Sequence, residues 1–141
     1  MIIPTYSSIP AGQAVGLTTA TPANIASVVL SAGTYLVWGF VNATLTGASL
    51  SSLIASLSLT SGTLPTQNGL FVPNVGRLFP EPIAQQLTNL TATTGTSSLD
   101  VGATVLTVPP NTNTTLYLVS QAAFSAGSVA AYGSVFALPT S

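Results

Sequence analysis

Residues that interrupt regular structure recur at short intervals along this chain. Its 141 residues include 12 Gly and 10 Pro, and clusters of Ser and Thr fall between them. The segments between these interruptions show little of the 3.6-residue period of a helix, and several alternate apolar with polar residues. Short alternating segments bounded by turn residues are typical of strands. The sequence therefore predicts an all-β protein, and its length favours a single domain.

An apolar segment at residues 25–30 leads into a predicted turn at residues 31–33, and the longest predicted strand follows at residues 34–44. Both faces of this strand are apolar, which indicates a central position in a sheet or a place at an interface. The next strand, residues 50–59, alternates Leu and Ala with mainly Ser. This alternation predicts a half-buried strand with one hydroxyl-bearing face.

Four further strands are predicted in the second half of the chain, at residues 84–90, 103–108, 114–124 and 129–138. A hydroxyl-rich turn is predicted at residues 93–98, and the pair Pro109-Pro110 is expected to end the strand before it. The last two strands are predicted to form a hairpin across residues 125–128. About eight short strands without an internal repeat indicate a β-sandwich or jelly roll.

Two segments depart from this strand pattern. Residues 1–20 are predicted to form an extended N-terminal arm, which leaves residues 21–141 for the folded domain. Residues 61–82 are crowded with Pro and Gly, so we predict a long irregular loop there. Long loops are often functional.

Charged side chains are almost absent from the chain. Arg77, Glu81 and Asp100 are the only ones, whereas about a quarter of the residues of an ordinary protein are charged. A single Arg excludes the basic patch that nucleic-acid binding or electrostatic membrane docking requires. No stretch approaches the roughly 18 consecutive apolar residues of a membrane-spanning helix. Because soluble monomers rely on charge for colloidal stability, we expect this chain to belong to a large assembly.

Catalytic chemistry has few residues to draw on. The chain contains no His and no Cys, so Ser-His-Asp, Cys-His and His-ligated zinc sites are excluded. Glu81 and Asp100 are the only two carboxylates that could serve a glycosidase, and no cluster of acidic or sugar-contacting residues accompanies them. Calcium sites usually need two or three clustered carboxylates. The sequence therefore predicts a protein that is not an enzyme and binds no cofactor or metal.

Three segments carry a resemblance to known proteins. Residues 27–44, which include Ser-Ala-Gly-Thr-Tyr-Leu-Val-Trp, resemble the strand pattern of jelly rolls of the tumour necrosis factor and complement globular-head type. Residues 114–138, with Tyr-Leu-Val-Ser-Gln-Ala-Ala-Phe and then Ala-Tyr-Gly, resemble the C-terminal strands of a jelly-roll domain of tailed-bacteriophage structural proteins. Residues 58–65 are similar to another part of that domain. Relatives often end in a short basic run, whereas this chain stops at Pro-Thr-Ser.

This resemblance implies a trimeric virion module. We expect a capsid decoration or cement protein that forms a homotrimer and binds the major capsid protein or other virion proteins, with residues 1–20 as the anchor. Because the chain begins with Met and is barely longer than a jelly roll, we expect no fibre shaft. The alternative is the tip of a head or tail fibre, which would bind a glycan of the host surface through residues 61–82.

Aromatic residues are the main candidates for subunit or partner contacts. Trp38 and Tyr35 lie on a strand with two apolar faces, so we expect them in the core or at an interface rather than on a carbohydrate platform. The same interpretation applies to Tyr117, Phe124, Tyr132 and Phe136. Arg77 and Glu81 could fix the register between subunits or anchor their loop, or form a solvated pair that contributes under about 1 kcal/mol. The complete set of predicted contact residues is Tyr35, Trp38, Phe40, Phe71, Arg77, Phe79, Glu81, Tyr117 and Tyr132.

Overall fold

A computed structural model describes residues 5–64, 83–88 and 94–140. Within these ranges most residues lie in strands, and the helical structure is one short 3-10 turn, Ala11–Gln13. No helix in the described ranges is long and apolar enough to cross a membrane. The prediction of an all-β fold is confirmed. The strands are β1 (Thr5–Ile9), β2 (Val15–Gly16), β3 (Ala23–Thr46), β4 (Ser49–Ser58), β5 (Ile83–Thr88), β6 (Thr94–Ser125) and β7 (Ser128–Pro139).

All these strands belong to one antiparallel sheet. Their order is β1-β7-β3-β6-β4-β5, and the short β2 also pairs with β7. The strand β3 lies between β6 and β7, as expected for a strand with two apolar faces.

Two strands are long enough to belong to two layers, because β3 has 24 residues and β6 has 32. The second half of β3 pairs with β7 on one side and with the first half of β6 on the other. The first half of β3 pairs with the second half of β6, which also pairs with β4. We call the first group, with β1 and β2, the β7 layer, and the second group, with β4 and β5, the β4 layer.

The two layers face one another across a common apolar core. A methyl carbon placed on Gly39 of the β7 layer would lie 3.4 Å from Leu118 Cδ1 and 3.6 Å from Leu57 Cδ2, both in the β4 layer. The core is built by the inward side chains of all four long strands. Its largest fully buried side chains are Ile25, Leu30, Val37, Val41, Leu45, Leu50, Leu53, Leu57, Leu116 and Leu118.

The turn predicted at residues 31–33 is wrong, because β3 continues through it as a strand. The predicted stop at Pro109-Pro110 and the predicted turn at 93–98 are wrong as well, since β6 runs from Thr94 to Ser125. Between Ser31 and Gly33 the pairing partners jump from Asn113 to Val108, so residues 109–112 have no partner in β3. Proline cannot donate a backbone hydrogen bond, and here it lies where the ladder is interrupted.

The predicted hairpin between residues 114–124 and 129–138 is also wrong. The second half of β6 pairs with β3 and β4, whereas β7 pairs with β1, β2 and β3 in the other layer. The connection crosses between the layers at Ala126 and Gly127, both with φ of 58°. The chain does turn at residues 125–128, as the sequence predicts. The chemistry of a turn, however, does not decide which strand pairs with β7.

Strand β4 matches the prediction in its position but not in its exposure. Ser56 and Ser58, on the face opposite the core, are buried as well. Their hydroxyls donate to the carbonyl oxygens of Leu57 and Thr60, at 3.0 and 2.9 Å. A buried hydroxyl that makes such a bond avoids most of the cost of leaving water. The half-buried strand predicted here is therefore buried on both faces over residues 53–58.

The turn after β4 folds back over that same face. Asn24 lies opposite Val119, which in turn lies opposite Ser56. The Asn24 side chain donates to Ser61 Oγ at 2.8 Å and accepts from the Gly62 backbone nitrogen at 2.7 Å. These two bonds hold the turn against the outer side of the β4 layer.

The predicted N-terminal arm contributes to the sheet. Residues 5–9 form β1 along β7, and Val15 and Gly16 pair with Ala131 and Ala130 of the same strand. Binding of this segment to a capsid protein stays a prediction. Residues 65–82, which make up most of the predicted loop, lie outside the described residues, while β5 agrees with the strand predicted at residues 84–90.

Candidate functional site

Three aromatic rings form a row across the outer face of the β7 layer. Tyr6 of β1 is paired with Phe136 of β7, and Phe136 is paired with Trp38 of β3. The ring centroids of Phe136 and Trp38 are 5.3 Å apart at an interplanar angle of 15°, and those of Tyr6 and Phe136 are 6.1 Å apart at 28°. Stacked pairs of this kind contribute about 0.5–1.5 kcal/mol beyond the area that they bury.

Apolar side chains extend this row in both directions along the strands. Phe40 packs at the side of Phe136, with a centroid distance of 6.3 Å. Leu36 of β3 lies between Leu138 of β7 and Val105 of β6. We call the seven residues together the aromatic face: Tyr6, Leu36, Trp38, Phe40, Val105, Phe136 and Leu138.

The alternation of β3 explains why these side chains point outward. Tyr35, Val37 and Val41 point into the core and are buried, so the residues between them point away from it. Trp38 and Phe40 are half-buried, because each ring is covered only by its neighbours on the face. Tyr6 and Val105 are more open, at 65% and 38% exposed. The aromatic face is thus an apolar surface in contact with solvent.

Polar groups border this surface. Asn42 continues the outward row of β3, and its Oδ1 accepts a hydrogen bond of 2.6 Å from Ser98 Oγ. Ser134 Oγ donates to Ser8 Oγ at 2.7 Å between β7 and β1. Asp100 is paired with Phe40 and exposed, and it is the only charged side chain in the described part of the chain. An apolar centre with a polar rim is the usual anatomy of a protein interface.

The predicted contact residues that the structure describes lie in three different places. Trp38, Phe40 and Tyr132 share the outer side of the β7 layer, with Tyr132 opposite Asn42. Tyr35 is buried in the core, where its hydroxyl donates to the Ser31 carbonyl oxygen at 2.9 Å. That position gives Tyr35 a role in packing within one chain.

Tyr117 lies on the other side of the molecule. It is half-buried on the outer side of the β4 layer, opposite Ser27 and Ser58. The other predicted contact residues, Phe71, Arg77, Phe79 and Glu81, lie outside the described residues. Whether they contact a partner, and whether Arg77 and Glu81 pair, stays a prediction.

Sequence reasoning missed Tyr6 as part of this surface. It lies in the segment assigned to the arm, and nothing local indicates that this segment returns to pair with β7. The sequence predicts Phe136 in the core or at an interface, and its alternation with Tyr132, Ser134 and Leu138 indicates that these four share one face of β7. Pairing of β7 with β3, rather than with β6, brings this row beside Trp38.

The chemistry available on the aromatic face is that of apolar contact. No group of three or more His, Cys, Asp or Glu side chains capable of holding a metal occurs among the described residues. The rings of Tyr6, Phe136 and Trp38 stack on one another, so the ring faces that a sugar would need are partly occupied. The arrangement favours burial against another apolar surface. No protein-family model and no curated protein matches this chain.

Proposed function

We propose that this chain is a non-enzymatic structural protein that associates with copies of itself through the aromatic face, and that it decorates a bacteriophage capsid as a homotrimer. The observation that carries the self-association is the row of stacked rings on a solvent-facing surface, whose described residues include no basic side chain. Large apolar patches with a polar rim on soluble proteins mark interaction sites.

The proposed fold within the all-β class is a jelly roll. The halves of β3 and β6 lie in different layers, so each of these strands counts twice and, without the two-residue β2, the described strands number eight. They divide into two groups of four, namely β1, β7 and one half each of β3 and β6, and β4, β5 and the other halves. Eight strands in two facing sheets correspond to the jelly rolls of many viral capsid domains.

The aromatic face supplies part of the area that contact between copies requires. Four neighbouring strands about 4.8 Å apart, followed over the five residues of β1 with a rise of about 3.4 Å, cover on the order of 300 Å². Two such faces bury about 600 Å², so the polar rim also takes part if the contact reaches the roughly 1,000 Å² of a specific interface. In a closed trimer the three faces meet around one axis, and each face is shared between two neighbours.

The scarcity of charge supports a second copy of the chain as the partner that covers the aromatic face. Burial of an unpaired charge is costly, and Asp100 is the one charged group near this face in the described ranges. Asp100 lies beside Phe40 towards the β6 side, away from the Tyr6 end of the ring row. Contact through the part of the face between Tyr6 and Trp38 therefore brings no charged side chain of the described residues against its copy.

The proposed place on a virion rests on the sequence. Residues 114–138 resemble phage jelly-roll strands, and a chain with three charged side chains suits a component of a large assembly. Residues 1–20 are the proposed anchor for the capsid, and the part of them that forms β1 lies along β7. The partners proposed are two further copies of the chain and the major capsid protein.

A matched pair of charge substitutions tests the self-association. Val105 on the aromatic face and Val29 on the outer side of the β4 layer are both exposed, at 38% and 64%. We expect Val105→Glu to convert the trimer to monomers of 14.1 kDa in sedimentation velocity, and Val29→Glu to leave the trimer intact. A wild-type protein that stays monomeric at every concentration, or equal behaviour of the two variants, would contradict the proposal.

Binding to capsids tests the virion role separately. Purified protein is mixed with phage heads that lack it, and co-sedimentation is measured. Saturable binding is expected for a decoration protein. Binding to host cells without binding to heads would instead favour the glycan-binding fibre tip.

A further inference from the structure

Strand β1 lies at the edge of the β7 layer and completes the aromatic face. It provides Tyr6, the outermost ring of the row, which stacks on Phe136. Without β1, Phe136 would lose the neighbour on one side, and the face would narrow from four strands to three. The surface proposed for self-association therefore depends on a short edge strand.

Few contacts hold β1 in place. Within the part of the chain that the structure describes, it pairs with β7 only, over five residues from Thr5 to Ile9. Three of these five residues are exposed, and Ile9 is the one that packs against the core. In the described residues, one side-chain hydrogen bond joins the two strands, from Ser134 Oγ of β7 to Ser8 Oγ of β1. An edge strand with so few buried contacts opens more easily than the core strands.

We propose that docking of β1 on β7 is coupled to self-association, because β1 must be docked for the aromatic face to be complete. This inference rests on the proposed function. An open β1 removes Tyr6 from the face, so only the docked state presents the full surface. Only molecules with β1 docked can associate. The apparent dissociation constant is therefore the intrinsic constant divided by the docked fraction, and it rises as that fraction falls. Association in turn holds β1 on β7, by thermodynamic reciprocity.

A reversible disulfide tests this coupling. The chain has no Cys, and the hydroxyl oxygens of Ser8 and Ser134 are 2.7 Å apart, so a double variant Ser8→Cys and Ser134→Cys can fix β1 on β7. The reduced form of the same variant is the matched control. A non-reducing gel of the diluted protein shows whether the bond forms within one chain.

Association of both forms is then measured by sedimentation beside the wild type. We expect the oxidised form to associate at least threefold more tightly than the reduced form. Deletion of residues 1–9 is expected to weaken association at least tenfold while Trp38 fluorescence shows a folded core. Equal association of the oxidised, reduced and truncated forms would overturn the coupling and leave the proposed function standing. A monomeric wild type would overturn both.

Hydrogen exchange provides an independent readout. Backbone amides of residues 5–9 are expected to exchange at least tenfold more slowly at concentrations where the protein is associated than where it is monomeric. Amides of the central strand β4, residues 53–57, serve as the control and are expected to change less. Exchange at residues 5–9 that does not depend on protein concentration, in a protein that does associate, would refute the coupling.

Discussion

The close approach of β7 and β3 at Gly133 leads to a sharp prediction. Gly133 is buried opposite Val41, and a methyl carbon placed on it would collide with the carbonyl oxygen of Phe40. The same carbon would lie 3.0 Å from the Phe40 carbonyl carbon and 3.1 Å from Val41 Cα. All three contacts are with backbone atoms, so no side-chain rotation can relieve them.

Gly133→Ala must therefore move the two strands apart within a ladder of 12 paired residues, from Tyr35 to Thr46 on β3. Overpacking of a well-packed site costs about 1–3 kcal/mol, and we expect a value near the upper limit because backbone has to move. For a chain of this length, a loss of about 3 kcal/mol corresponds to a fall in Tm of about 10 °C.

Gly16→Ala is the matched control, because no atom lies within 4 Å of a methyl carbon at that position. Its effect on the free energy of unfolding is expected to stay within about 1 kcal/mol of zero. Urea unfolding followed by the fluorescence of Trp38, the only Trp, measures both variants at one fixed protein concentration, since association contributes to stability. If Gly133→Ala unfolds at the same urea concentration as Gly16→Ala, the proximity of β7 and β3 described above is refuted.

Three further predictions concern turns, a buried hydroxyl and salt. Ala126 has a φ of 58° next to Gly127, so Ala126→Asn, which suits that conformation, is expected to raise the free energy of unfolding by about 0.5–1 kcal/mol in urea titrations. Tyr35→Phe removes the hydrogen bond to the Ser31 carbonyl oxygen and is expected to lower the free energy of unfolding by about 1 kcal/mol. Tyr6→Phe, at the exposed edge, is expected to leave the free energy of unfolding unchanged. Association through an apolar face is expected to persist in 1 M NaCl and to strengthen in ammonium sulfate, as measured by sedimentation; loss of the oligomer in NaCl would point to an electrostatic contact instead.

Periodicity along single strands was readable from the sequence. The alternation in residues 34–44 predicts one row that contains Tyr35 and another that contains Trp38, and the structure places the first in the core and the second on the aromatic face. The positions of β4 and β5 were also close to those predicted. Such features depend on neighbours within a few residues, which the sequence displays directly.

Strand length and bends were harder to predict. Pro109-Pro110 and residues 31–33 carry strong turn signals, yet both lie within strands that pass from one layer to the other. A local signal shows that the chain must bend or lose a hydrogen bond. It does not show whether the strand ends there or continues in another layer, because that depends on the surface the continuation can bury.

The order of the strands was decided by the tertiary structure alone. The sequence by itself determined an all-β chain with almost no charge, with no His or Cys, and with strands that are apolar on both faces. Only the fold placed β7 between β1 and β3, and so brought Tyr6, Phe136 and Trp38 into one row from positions far apart in the chain. The physical reason is that strand neighbours are selected by burial of whole apolar faces, which is a property of the folded sheet and not of any one segment.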